Sequence, residues 1–77
     1  MLEKIEDRYA LSWAEPQVAG ADLRWIACWE VYERSPGPHD TPLHQGRARH
    51  WTGNREAAFE EARRLAAQAA RGRFSTG

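Results

Sequence analysis

The 77 residues include eleven basic and eleven acidic side chains. That is enough for one hydrophobic core, and zero net charge excludes a binder that holds nucleic acid or an anionic membrane by charge alone. A single cysteine, Cys28, excludes an internal disulfide. No apolar run approaches the ~18 residues of a membrane span, and the charged start Met-Leu-Glu-Lys-Ile-Glu-Asp lacks a signal-peptide core. The expectation is a single domain in a reducing cytoplasm, ordered over about residues 8–72 with flexible ends. Five Leu, two Ile and two Val are few, so Trp13, Trp25, Trp29, Trp51, Phe59 and the tyrosines must supply core volume.

The first predicted element is Arg8 to Ala14, where Tyr9, Leu11 and Trp13 alternate with Ala10, Ser12 and Ala14, the period-2 pattern of a half-buried strand. Glu15 to Asp22, with Pro16 and Gly20, reads as a connecting loop. Leu23 to Glu33 is the strongest strand: Leu23, Trp25, Ala27, Trp29 and Val31 share one face, and Arg24, Ile26, Cys28, Glu30 and Tyr32 the other. The first set is expected inward. Ser35 to Pro42 holds three prolines and a glycine and reads as a surface loop. Leu43 to Trp51 fits a third strand with Arg47 and Arg49 in solvent, a parity that turns Trp51 outward unless the strand bends.

A helix is predicted over Asn54 to Arg71. Thr52 or Asn54 can cap it, Asn54 being the better placed, and Glu56 suits the positive end of the dipole. Ala58, Phe59, Ala62, Leu65, Ala66 and Ala69 recur at three- and four-residue spacing, with Phe59 and Leu65 as the expected anchors, and Gly72 closes the run. Phe74 to Gly77 and the first few residues are expected to fray. The order gives an α+β domain, a three-stranded antiparallel meander with one C-terminal helix on one face.

The residues point to no reaction. His39, His44, His50, Asp40 and Cys28 are metal-ligand types, but their spacing matches no zinc signature, so no metal site is expected. No thiol–histidine pairing or paired acid/base carboxylates can be read. The expectation is therefore a non-enzymatic module without cofactor or evident small-molecule ligand. One helix cannot shield both faces of a sheet, which leaves Ile26, Cys28 and Tyr32 to meet water, the N-terminal segment around Leu2 and Ile5, or a protein partner, including a second copy. The chain is −3 over residues 1–34 and +3 over residues 35–77, a split that a two-fold dimer could use. The alternative is DNA or RNA binding through Arg47, Arg49, Trp51 and Arg55.

The segments Trp25-Ile-Ala-Cys-Trp-Glu-Val and Gly46-Arg-Ala-Arg-His-Trp-Thr-Gly-Asn-Arg-Glu-Ala-Ala are similar to the central strand, last strand and strand-to-helix turn of HicB-like and related small bacterial domains. The turn and Glu-Ala helix start also resemble arm-type DNA-binding domains of phage integrases. The resemblance covers about Tyr9 to Arg71. It implies a strand-strand-strand-helix fold and a small binding module, with no functional residue carried over.

Overall fold

The fold is that of a computed structural model, which describes residues 1–72. The expected fraying of Phe74 to Gly77 lies outside the described residues. Four strands and one helix follow in chain order: β1 (Leu2–Ile5), β2 (Arg8–Ala19), β3 (Asp22–Tyr32), β4 (His44–Thr52) and α1 (Arg55–Ala70). All neighbours are antiparallel in the order β1-β2-β3-β4, and α1 packs on one face.

The α+β class stands, but the three-stranded meander is corrected to four strands. The addition is β1, in the segment expected to fray, where Leu2 pairs with Leu11 and Ile5 with Arg8. A two-residue turn at Glu6 and Asp7 connects them, with Glu6 at φ 56. Short hairpins normally place glycine or asparagine at such a position. With Glu at that position, Asp7 is left as the one weak turn signal in the sequence there.

The expected Glu15–Asp22 loop is a second tight hairpin. Strands β2 and β3 stay in register from Tyr9↔Tyr32 to Ala19↔Asp22, leaving only Gly20 and Ala21 as the turn, and Gly20 supplies the positive φ of 65 that the turn requires. Pro16 is tolerated inside β2 because β1 pairs no further along it than Leu11, so β2 has an open edge where proline needs no ladder partner.

On the helix side of the sheet lie Ala10 and Ser12 of β2 and Ala27, Trp29 and Val31 of β3. The central core is Ala10, Val31, Ala66, Ala69 and Ala70, with Ile5 and Trp29 packed against it. The helix buries Ala58, Ala62, Ala66, Ala69 and Ala70. Phe59 and Leu65, the expected anchors, are only half-buried at its flanks. Small side chains let the helix backbone approach the sheet closely, and the bulk comes from the strands, above all Trp29.

The helix ends follow the expected chemistry. Asn54 Oδ1 accepts from the Ala57 N–H at 3.1 Å, and Thr52 Oγ1 accepts from the Asn54 N–H at 3.1 Å. Gly72, at φ 71, donates its N–H to the Ala69 carbonyl. The helix runs diagonally. Arg55 lies over the Trp25 ring, 5.7 Å from its centroid, while Arg63 reaches Glu3 on β1 and Arg8 donates to the Ala70 carbonyl. This course covers β2 and β3 and leaves β4 open beside the helix.

Candidate functional site

Two surfaces follow from this layout: the sheet face away from α1, and the cleft between α1 and β4. Alternation from the cross-strand pairs sets Leu2 and Lys4 of β1, Tyr9, Leu11, Trp13, Glu15 and Gln17 of β2, and Arg24, Ile26, Cys28, Glu30 and Tyr32 of β3 on the first of them. Arg47 and Trp51 join them from β4, opposite Cys28 and Ile26.

Four β4 steps from Arg47 to Trp51 answer only two β3 steps from Cys28 to Ile26. The bulge at Ala48, Arg49 and His50 holds two extra residues and so keeps Arg47 and Trp51 on the same face. This settles Trp51: it points away from the helix and is 52% exposed.

Two side-chain straps cross β3 on that face. Arg47 Nη2 donates to both carboxylate oxygens of Glu15, at 2.6 and 2.7 Å. Trp51 Nε1 donates to Gln17 Oε1 at 2.9 Å, and the Arg24 guanidinium lies 4.6 Å from the Trp51 ring centroid. Each strap joins β2 to β4 over the top of β3, and together they roof Ile26 and Cys28. The Glu15 carboxylate beside Arg47 holds the guanidinium pKa above its ordinary value.

The three interface candidates therefore sit below the surface. Ile26 is 8%, Cys28 2% and Tyr32 8% exposed. The chain's own residues cover them, which differs from the open apolar patch expected when the strands were read one at a time. The Tyr32 hydroxyl donates to Glu30 at 2.6 Å, and this bond, reinforced by burial, pushes its pKa up to about 12. Burial, together with the neighbouring Glu15 carboxylate, raises the Cys28 thiol pKa, so the sulfur is kept protonated and shielded. The apolar residues of this face that remain accessible are Leu2 and Trp51, both about half exposed, and the half-buried Tyr9, Leu11 and Trp13, with Lys4 and Arg47 exposed among them.

The four nucleic-acid candidates do not form one stripe. Arg47 and Trp51 occupy the face away from the helix and are engaged by Glu15, Gln17 and Arg24. Arg55 stacks on Trp25, whose cross-strand partners place it on the helix side. Arg49 sits exposed on the bulge.

The cleft between α1 and β4 has a volume of about 590 Å³. Ala27 and Trp29 form its floor, Ala57, Ala58 and Leu65 its helix wall, and the bulged segment of β4 its other wall. Gly46 shapes it: a Cβ there would stand 2.6 Å from Trp29 Cζ2, so only glycine lets the indole lie flat across β4. Sequence reading missed this cleft and both straps. Glu15 and Gln17 fall in the segment that Pro16 and Gly20 mark as a loop, and a strap across an intervening strand depends on register that no local pattern carries.

Among the described residues no cluster of three or more His, Cys, Asp or Glu could hold a metal ion, and no helix is long and apolar enough to cross a membrane. No family model matches the chain, and neither does any curated protein or solved structure.

Proposed function

We propose that this chain is a non-enzymatic, cytoplasmic protein-interaction module that works through the sheet face opposite its helix, with a second copy of itself as the occupant. The carrying observation is the two-layer build, in which one layer is a single helix and the other broad face has none. Half of that face is closed by the polar straps. The other half presents Leu2, Tyr9, Leu11 and Trp13 along β1 and β2.

A second copy suits this face for two reasons. Strands of 4, 12, 11 and 9 residues at ~3.3 Å per residue and ~4.8 Å apart give the whole face, straps included, a footprint of roughly 570 Å², below the ~800 Å² per partner of an ordinary stable interface and in the range of a weak, concentration-dependent one. The charges at its centre are already paired within the chain, Arg47 with Glu15, so two copies can meet face to face as aligned sheets without like-charge opposition.

Sedimentation from micromolar to millimolar concentration tests the reading. The expected result is a concentration-dependent dimer that Leu11→Glu converts to a monomer, with the half-exposed Leu2→Glu as a second variant that spares the interior. A native chain that stays monomeric over the whole range defeats it. Nucleic-acid binding through Arg47, Arg49, Trp51 and Arg55 has less support, since those residues divide between faces and two of them are engaged internally. A salt titration against mixed DNA and RNA pools decides it: salt-dependent binding lost in Arg49→Glu would favour that alternative.

A further inference from the structure

The cleft between α1 and β4 lies on the opposite side of the sheet from the surface proposed above, and its chemistry is different. Its floor and helix wall are apolar, formed by Ala27, Trp29, Ala57, Ala58 and Leu65. Its other wall is the edge strand of the sheet. The bulge takes Ala48, Arg49 and His50 out of register with β3, so this wall presents backbone groups outside the regular ladder along an apolar trough. An extended peptide can use such an edge through its main chain while alternate side chains enter the trough.

The charge of the wall selects the occupant. Arg47 is turned to the other face and held there by Glu15, so the β4 residues that give this wall its charge and polarity are Arg49 and His50, with no acid among them. The Arg49 side chain makes no ion pair or hydrogen bond among the described residues. The one carboxylate lining the cleft, Glu61, is held by Arg64 at 2.7 Å. A second copy laid β4 against β4 would bring Arg49 of each chain toward the other, which disfavours that pairing.

We propose that the α1–β4 cleft is a docking groove for an extended segment of another protein that alternates apolar and acidic residues. Its apolar side chains rest on Trp29 and Leu65, and its carboxylates face the Arg49 end of β4.

A phage-displayed library of random linear peptides, selected against the full chain, tests this. The expected binders alternate Asp or Glu with apolar residues and weaken as salt is added. They lose about tenfold or more in affinity to Arg49→Glu, an exposed position outside the core. They also fail on Ala57→Trp, which fills the groove from an exposed helix position. Circular dichroism of each variant confirms that it is folded, and amide and indole NMR shifts should centre on Trp29, Ala57, Ala58 and Leu65. Selections that return no binder, binders without acidic residues, or binders indifferent to both variants overturn the proposal. Shifts confined to Leu11 and Trp13 would do the same and would assign peptide binding to the other face.

Discussion

Gly46 and Glu6 show how much single backbone positions decide in a chain this small. Gly46 is the only residue type that leaves room for the Trp29 indole. Gly46→Ala is expected to cost about 1–3 kcal/mol, as overpacking does, visible as a lower urea midpoint. Most of that loss should return in the double variant with Trp29→Leu, because the clash is with that ring alone. Glu6 is the reverse case. A non-glycine residue at φ 56 is strained, and its ion pair with Arg71, 3.7 Å long, is exposed. Glu6→Gly should therefore stabilise the fold by about 0.5–1 kcal/mol, read as a rise in Tm. Neither residue announces its role in sequence. Gly46 looks like a weak point in a strand pattern, and although Asp7 is a common turn residue, Glu6 is not of the kind that short hairpins favour at a positive φ.

Among the elements, the helix was the most legible and the edge strands the least. Asn54 was readable as a cap because capping is local, a side chain reaching an N–H three residues on. Asn54→Ala should cost about 1 kcal/mol, roughly 4–8 °C in Tm for so small a domain. The helix stripe was also readable, but its anchors were not. The buried positions are alanines, while Phe59 and Leu65 sit at the flanks because the diagonal course of α1 brings its backbone close to the sheet. The straps over β3 carry a separate expectation. Arg47 and Glu15 cover Cys28, so Arg47→Ala should speed the reaction of that thiol with a disulfide reagent severalfold while the far-UV circular dichroism holds. An unchanged rate would mean that Trp13 and the strand neighbours alone shield the sulfur.

For the whole molecule, the tie between the first strand and the helix is the long-range feature to probe. Arg63 donates to Glu3 through both Nε and Nη2, and this hydrogen bond, with the guanidinium's charge, lowers the Glu3 pKa below its ordinary 4.5. A depressed carboxylate pKa stabilises the fold fully above pH 4.5 and loses that contribution as pH falls through the lower folded value. Arg63→Met should consequently lower Tm at neutral pH, and the gap between native and variant should close on acidification below 4.5. A constant gap across that range would assign the loss to packing of the Arg63 stem. The sign follows from Glu3 being ionised in the fold, and the effect stays modest because both side chains are about one-third exposed.

The sequence alone determined what depends on neighbours along the chain: the two-sided alternation of β3, the Asn54 cap, the Gly72 stop and the alanine stripe of α1. The tertiary structure decided what depends on register and crossing direction. It recruited Leu2–Ile5 as a fourth strand and extended β2 through Pro16, because pairing with β3 outweighs a proline on an open edge. It placed Glu15 and Gln17 where they reach across β3 to Arg47 and Trp51 and roof Ile26 and Cys28, and it buried Tyr32 at the far end of β3 beside Tyr9 and Glu30. It also opened a groove beside β4, since a single diagonal helix is too narrow to cover four strands ~4.8 Å apart. Side-chain alternation is a two-residue rule that survives in any context, whereas straps, edges and grooves exist only once distant strands have been set side by side.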